Sequence, residues 1–567
     1  MLRRPLWLLT ATVSLAACKS TTQPTIQPCP VGGGTPVNLA IDAYVSLDVA
    51  PTAGCAVFPV ATGGGAVEYL VVPQLATGTP GQMTTFVLSG DTIRTTTAAP
   101  PLARSGVPMG KADAFHAFLR IGDEKRTWGF APERRQPSPP HPPHPSPTAE
   151  AGPPPPMGDL RKFMVCAKTD CSRFDPVWAK VRALKTKVAI YVDTLAPAGG
   201  LDSTSLDSIA NVFEQRLYAV DTAAFGRESD IDNNSVVLVL MTNVVNKLVT
   251  ASECQQSGFV AGFFFGADLD PAFRNDSRSN KGEVFYSVVA DPSGTLSCTH
   301  QASEVLAFVP VTFVHEFQHM ISFNQHVLVR GGSGEVLWLN EGFSHYAEEL
   351  GGRSYEVTPD SKVVNCTIGT SACRFYSGNL LNAYKYLDST QNHFLLPTAG
   401  IGTLAERGAA WLFVRYLVDQ YAHGATLAQW DTLTRSLVAT ANTGAQNITA
   451  VTGVPFATTV SRWALANYMT DRGQPAELQY TSWGYHSVFA SLNTQRPNLF
   501  PKVYPLNPPA IVGRDVDTSA TLRAGSGIYI RATQAPGDPG FTLHLTTPDG
   551  ALINAAYVPR LNVIRLQ

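Results

Sequence analysis

The segment His315-Glu316-Phe317-Gln318-His319 constrains the fold more than any other part of the chain. Residues four apart lie one above the other on the same face of an α-helix, so both imidazoles can reach a single metal ion. Glu316 lies about 100° around the helix from His315, where its carboxylate can hold a water molecule without being a ligand. The pattern therefore predicts a metal-binding helix.

The residues around this triplet are apolar, which predicts that the helix is buried. They are Phe313, Val314, Phe317, Met320 and Ile321. Burying two histidines and a glutamate costs free energy unless a metal ion or hydrogen bonds satisfy them. An ordinary hydrogen-bonded core histidine is the alternative, but it does not account for two histidines at this spacing beside a glutamate.

A second segment can complete the metal site. Asn340 is a good N-cap residue, so a helix is expected to begin at Glu341. Glycines at 331, 332 and 334 would let this helix fold back on the first one. Glu341, His345 and Glu348 would then share one face. A catalytic zinc ion takes three protein ligands and keeps one open position, which a carboxylate here would satisfy.

These two helices predict one catalytic Zn²⁺ ion with His315, His319 and Glu341 as ligands and Glu316 as general base. The oxyanion formed in such a reaction needs a further hydrogen-bond donor. The candidates are His345, Tyr346, Tyr376 and His393. His345 and Tyr346 are retained as the catalytic candidates, although His345 or Glu348 could instead support a ligand imidazole or lie at the surface.

The same segments resemble a known group of enzymes. His-Glu-x-x-His followed by Asn-Glu-Gly is typical of the gluzincin metallopeptidases, and residues 315–321, 338–350 and 410–416 are similar to the core of the hyicolysin family. The resemblance covers residues 162–469. It implies a zincin-like α+β fold with a sheet-containing upper lobe and a helical lower lobe. It also implies the same three zinc ligands and Glu316 as the catalytic residue.

Composition shifts divide the chain into five predicted parts. These are a signal peptide at 1–17, an N-terminal β domain at 18–130, a Pro-rich linker at 131–157, a zinc metallopeptidase domain at 158–490 and a C-terminal β module at 491–567. Short apolar runs between Gly, Pro and Thr clusters predict the two flanking β regions. We expect the metal site to be independent of residues 19–157.

The N-terminus predicts export. Arg3 and Arg4 precede a short apolar stretch that ends in Leu15-Ala16-Ala17-Cys18, which resembles the lipobox of bacterial lipoproteins. Lipidation at Cys18 would anchor the protein to the bacterial cell envelope, at the outer membrane or the cell surface. An ordinary signal peptide is the alternative. The net charge of −2 gives no indication of nucleic-acid binding, and membrane contact is expected only through the anchor.

Eight cysteines remain after Cys18, and an even number in an exported chain predicts disulfides. Pairing by proximity gives Cys29–Cys55, Cys166–Cys171, Cys254–Cys298 and Cys366–Cys373. A thiolate zinc site is the alternative, but no two pairs have the spacing of a zinc finger with a nearby histidine.

A weaker signal for a second metal lies at Asp230-Ile231-Asp232-Asn233-Asn234, where oxygen ligands at alternate positions resemble the start of a calcium-binding loop. Ser235 stands where such loops have glycine, and no acidic residue ends the loop at the expected distance. An Asx-rich turn before a strand is therefore the favoured interpretation, with Ca²⁺ binding as the alternative.

The sequence thus favours an extracytoplasmic zinc peptidase that acts on proteins or peptides. An extended substrate would suit pairing with the edge strand of a sheet. An endopeptidase is preferred, because no acidic motif is evident that would bind a substrate amine. The competing hypothesis is an inactive surface binding or adhesion lipoprotein on a peptidase scaffold. The retained Glu316 argues against this alternative, since a binding protein does not need the base.

Overall fold

The computed structural model describes residues 25–26, 29, 33–50, 53–62, 64–91, 94–95, 109–129, 153–398 and 400–567. The predicted signal peptide, Cys18 and most of the predicted Pro-rich linker lie outside these ranges.

The strands are β1 (Thr25–Ile26), β2 (Thr35–Pro36), β3 (Tyr44–Asp48), β4 (Cys55–Phe58), β5 (Val67–Leu75), β6 (Met83–Ser89), β7 (Arg94–Thr95), β8 (Leu160–Cys166), β9 (Phe174–Leu184), β10 (Val188–Asp193), β11 (Val237–Met241), β12 (Gly262–Phe264), β13 (Val284–Ser287), β14 (Ala510–Val512), β15 (Asp517–Arg523), β16 (Ile530–Gln534), β17 (Phe541–Thr546) and β18 (Pro559–Arg565). The α-helices are α1 (Lys111–Lys125), α2 (Ser203–Val212), α3 (Tyr218–Phe225), α4 (Asn243–Asn246), α5 (Ala251–Ser257), α6 (Ala302–Phe323), α7 (Leu337–Arg353), α8 (Ser371–Asp388), α9 (Leu404–Tyr421), α10 (Leu427–Val438), α11 (Gly444–Thr452), α12 (Phe456–Met469) and α13 (Tyr485–Gln495).

A six-stranded sheet lies beside the predicted metal-binding helix. Its strand order is β12-β13-β11-β10-β9-β8, and β10, β11 and β13 run parallel to one another. Every residue of β11 is buried, as expected for a continuous apolar run in a parallel sheet. β12 pairs antiparallel with β13 and forms one edge of the sheet. Most of the α-helices come after this sheet along the chain. The fold therefore contains the predicted mixture of α and β structure.

Helix α6 carries the His-Glu-x-x-His segment. It begins at Ala302, where Gln301 and Glu304 form a capping box, and Pro310 lies inside it. Helix α7 begins at Leu337, four residues before the predicted start at Glu341. The carboxylate of Glu335 accepts the N–H of Val336 at 2.7 Å, at the start of α7. Asn340 is therefore free for another role.

The two predicted β modules form one structure. Two five-stranded sheets have the orders β14-β16-β5-β18-β3 and β15-β6-β17-β4-β2, so each contains strands from both ends of the chain. β5 pairs with β16 and β18, and β6 pairs with β15 and β17. The inward faces of both sheets share one apolar core. Neither end alone could close this sandwich, because its strands would have open edges.

Residues 109–129 also differ from the prediction of a purely β domain. They contain α1, which packs into the apolar core shared by the six-stranded sheet and the helices and not into the core of the sandwich. Trp128, which follows the helix, is fully buried against Phe265 and Phe273. Burial of large aromatic residues fixes the helix firmly in place.

The cysteines lie in the four predicted pairs. Their Cα–Cα distances are 5.7 Å for Cys29–Cys55, 5.0 Å for Cys166–Cys171, 6.1 Å for Cys254–Cys298 and 5.0 Å for Cys366–Cys373. These distances lie in the normal range for disulfides. Within the described ranges, none of the helices combines the length and the apolar character that crossing a membrane requires.

Candidate active site

His315, His319 and Glu341 converge on one point. Nε2 of His315 and Nε2 of His319 lie 3.2 Å apart. The Glu341 carboxylate places Oε1 at 3.4 Å from Nε2 of His319 and Oε2 at 3.8 Å from Nε2 of His315. The histidines lie one turn apart on α6, and α7 packs against α6 to bring in the carboxylate. The structure thus brings together the three ligands predicted from sequence.

The other nitrogen of each histidine has its own partner. Nδ1 of His315 lies 2.7 Å from Oε1 of Glu348, and Nδ1 of His319 lies 3.0 Å from Oδ1 of Asn340. When Nδ1–H is held by an oxygen acceptor, the Nε2 lone pair is left to bind a metal. Asn340, predicted as an N-cap, instead contacts a candidate ligand imidazole.

This donor set fits a zinc ion. Two imidazoles and one carboxylate are a usual ligand set for catalytic zinc. Two buried Nε2 lone pairs that face each other beside a carboxylate are also unfavourable without a cation between them. Burial lowers the pKa of His319 to about 3. Burial raises the pKa of Glu341, but contacts with the neighbouring imidazoles and the charge of Arg407 outweigh it and hold that pKa well below its usual value.

Glu316 is buried beside this cluster, and one of its oxygens is fixed. Its Oε2 accepts the backbone N–H of Phe264, in β12, at 2.9 Å. Burial raises the pKa of Glu316 to about 7, while Arg120 and His315 act in the opposite direction. A carboxylate with a pKa near neutrality can both accept and release a proton, as a general base must.

Two residues beside Glu316 were not predicted from sequence, and both lie on α1. Nη2 of Arg120 lies 3.9 Å from Oε2 of Glu316, and Nδ1 of His116 lies 4.0 Å from Oε1. Burial lowers the pKa of His116 to about 3. A signal for α1 was present in the sequence, because Asp113, His116, Arg120 and Asp123 recur at helical spacing. Their distance from residue 316 in sequence gave no indication of the contact.

The predicted oxyanion donors His345 and Tyr346 differ in their position relative to the candidate metal ligands. The ring of His345 lies 4.9 Å from that of His315, and its Nδ1 lies 3.1 Å from Oε1 of Glu348, so it belongs to the cluster. Tyr346 lies about 100° further around α7 than His345. Its hydroxyl accepts from Arg415 at 3.4 Å in the core, so the structure does not bring it to the metal ligands.

Tyr376 and His393 also lie away from the ligands. Tyr376 is buried against Trp483, at a ring-centroid distance of 5.2 Å. Nε2 of His393 lies 3.2 Å from the hydroxyl of Ser389, in the loop after α8. His345 is thus the one of the four predicted donors that contacts a ligand histidine.

The edge of the sheet at the site is already occupied. Phe264 donates its N–H to Glu316 and accepts a hydrogen bond at its C=O from Nη2 of Arg120 at 2.7 Å. The ring of Phe115 on α1 packs edge-on against Phe263 at 4.9 Å. The expected pairing of a substrate with this edge therefore does not extend to Phe264 in this conformation.

The predicted Asx-rich turn is confirmed by its hydrogen bonds. Asp232 accepts the N–H of Asn234 at 3.3 Å, and Asn234 accepts the N–H of Val236 at 2.8 Å. Glu283, distant in sequence, places a carboxylate oxygen within 4.8 Å of ligand atoms of Asp230 and Asp232. Ca²⁺ binding at this turn stays a prediction.

Comparison with known proteins gives a partial similarity. The chain is 27% identical over 144 residues to the neutral metalloprotease ShpI of Staphylococcus hyicus. The aligned segment covers 25% of this chain and 30% of that relative, so the chain matches less than a third of the relative's length. The similarity supports a relationship to metallopeptidases. No protein-family model matches the chain.

Proposed function

We propose that the protein is an extracytoplasmic zinc-dependent endopeptidase. One observation carries the proposal: ligand atoms of His315, His319 and Glu341 lie within 4.8 Å of one another, with the carboxylate of Glu316 buried beside them. This is the arrangement that metal-assisted peptide hydrolysis requires. The similarity to a neutral metalloprotease supports the same reaction class.

The proposed mechanism assigns a role to each side chain. Zinc, when bound by the three ligands, supplies Lewis acidity to the reacting carbonyl and water. Glu316 takes a proton from the attacking water through Oε1, the oxygen that the Phe264 N–H leaves free, and then transfers it to the leaving amine. Glu348 and Asn340 hold the ligand imidazoles in orientation. His345 is the proposed donor to the oxyanion.

The proposal also includes location and substrate. The sequence around Cys18 supports export and lipid anchoring at the cell envelope, and the paired cysteines support an oxidising compartment. The substrates would be proteins or peptides. Membrane contact would be through the anchor, and a nucleic-acid partner is not proposed.

The test uses the full chain and its Glu316→Gln variant. Zinc content is measured by elemental analysis, and casein hydrolysis is measured with and without a chelator. The glutamine keeps an oxygen that can accept the Phe264 N–H but cannot act as a base. We expect one zinc ion in each protein. Only the parent should hydrolyse casein, and the chelator should abolish that hydrolysis. Glu356→Gln, at an exposed position, is the matched control.

Two outcomes would contradict the proposal. A folded parent without stoichiometric zinc would overturn the ligand assignment. Zinc in both proteins with no hydrolysis in either would favour the surface binding or adhesion lipoprotein.

A further inference from the structure

Helix α1 presents a buried polar face to the candidate active site. Asp113, His116, Arg120 and Asp123 fall within one side of the helix. Arg120 and Asp123 are buried, and the His116 side chain is 20% exposed. Ionisable groups in such positions cost free energy unless each has a partner. The partners of this face therefore indicate what it does.

One end of the face attaches α1 to another helix, because Asp113 forms an ion pair with Arg407 on α9. At the other end Asp123 lies 3.3 Å from Nη1 of Arg120 and accepts from the Trp128 indole N–H at 3.2 Å. Trp128 is itself buried against Phe265 and Phe273. The ion pair and the buried indole fix α1 in place, so His116 and Arg120 are held opposite Glu316.

Arg120 acts on Glu316 in two ways. Nη2 of Arg120 donates to the C=O of Phe264 at 2.7 Å. The backbone N–H of Phe264 in turn donates to Oε2 of Glu316 at 2.9 Å. Nη2 also lies 3.9 Å from Oε2 itself. Arg120 thus fixes the strand residue that fixes the carboxylate, and Oε1 is left available for proton transfer.

His116 faces that available oxygen. The distance of 4.0 Å between its Nδ1 and Oε1 of Glu316 is too long for a direct hydrogen bond. A single atom between them can lie about 2.8 Å from both, which is a normal hydrogen-bond length. A neutral imidazole has one donor and one acceptor nitrogen, so it can hold a water molecule that also contacts the carboxylate.

We propose that α1 completes the catalytic centre: His116 is a further catalytic residue that holds the attacking water together with Oε1 of Glu316, and Arg120 is a positioning residue for Glu316. This inference rests on the proposed peptidase function. It places a catalytic residue before the Pro-rich segment and outside the region that resembles the hyicolysin family.

The test compares two replacements of His116 in the full chain. His116→Phe keeps a ring but removes both nitrogens, and His116→Asn retains a polar atom near the position of Nδ1. We expect kcat on casein to fall about 100-fold in His116→Phe, with KM little changed and partial recovery in His116→Asn. Arg120→Met should lower kcat with KM unchanged, and the kcat of Arg120→Lys should lie between those of Arg120→Met and the parent. Lys125→Ala, at an exposed position on the same helix, is the control.

A second measurement does not depend on turnover. A peptide phosphonamidate, which places an oxygen where the attacking water would lie, is titrated by calorimetry into each zinc-loaded protein. We expect at least tenfold weaker binding to His116→Phe than to the parent, with zinc content and Tm unchanged.

Two outcomes would overturn the inference, and a third would count against the proposed function alone. Equal phosphonamidate affinity and equal kcat in His116→Phe would show that His116 is a spectator. Higher kcat in His116→Phe would show that α1 obstructs the site. A parent that binds zinc and phosphonamidate but does not hydrolyse casein would count against the proposed function, while the affinity ratio would still decide the role of His116.

Discussion

Oε1 of Glu348 lies 2.7 Å from Nδ1 of His315 and 3.1 Å from Nδ1 of His345. One carboxylate on α7 therefore holds a candidate metal ligand on α6 and a neighbouring imidazole on its own helix. Burial raises the pKa of Glu348, but the two histidines lower it further, to about 2, so the carboxylate stays charged near neutral pH. This arrangement suits Glu348 to support the candidate ligand His315.

Replacing Glu348 should weaken metal binding without abolishing it. In Glu348→Ala the His315 imidazole loses the acceptor that fixes its tautomer and orientation. We expect the Kd for Zn²⁺ to rise about 10- to 100-fold. Competition with a chromogenic chelator measures this value. The exposed Glu356→Ala serves as control, and an unchanged Kd in Glu348→Ala would contradict the assigned role.

Glu349, the next residue on α7, should be essential for stability. It is fully buried and accepts hydrogen bonds from Arg353 at 2.7 Å and Arg415 at 3.1 Å. Glu349→Leu would leave two buried guanidinium groups without their shared counter-charge, which costs about 3–5 kcal/mol. Denaturant unfolding measures the change in unfolding free energy.

A more exposed ion pair provides the control for the Glu349→Leu substitution. Arg173 lies 3.0 Å from Asp175, and their side chains are 59% and 39% exposed. Asp175→Asn should leave the unfolding midpoint almost unchanged. A Glu349→Leu protein as stable as the Asp175→Asn protein would refute the importance of the buried cluster.

Glu335 should make stability depend on pH. Burial raises the pKa of its carboxyl from 4.5 to about 7. Between about pH 4.5 and pH 7 the folded protein keeps a proton that the unfolded chain has released. The unfolding free energy therefore falls as pH rises through this window, by about 3 kcal/mol from this group. Glu335→Gln removes this titration, so its unfolding free energy should change less between pH 5 and pH 8 than that of the parent. Parallel pH profiles for the two proteins would show that Glu335 does not titrate in this range.

Removing residues 19–157 should prevent folding, contrary to the expectation from sequence. The deletion takes away β5 and β6, which pair with four C-terminal strands, and also α1 with Arg120 and Trp128. Exposed strand edges and a core without its aromatic residues favour aggregation. We expect an insoluble product or one without a cooperative thermal transition. A soluble, cooperatively folded and zinc-binding truncation would show that the N-terminal region is dispensable.

The sequence determined the features that depend on local spacing. The interval of four residues between His315 and His319 is enough to place two imidazoles on one helix face, because the helical repeat fixes it. The strands β10 and β11 also follow from local composition, since continuous burial in a parallel sheet requires a continuous run of apolar residues. Proximity in sequence was also enough to pair the cysteines.

The tertiary structure decided the features that depend on distant contacts. Asn340 looked like an N-cap, but α7 begins earlier, and the side chain instead holds His319. The sequence predicted a separate β module at each end of the chain, but strands from the two ends pair in shared sheets and form one structure. Helix α1 lies in a stretch that was predicted to be β, and its local spacing could not have placed it beside Glu316. Helical and strand repeats are set by neighbouring residues, whereas the partner of a buried charge or of a strand edge is set by the path of the whole chain.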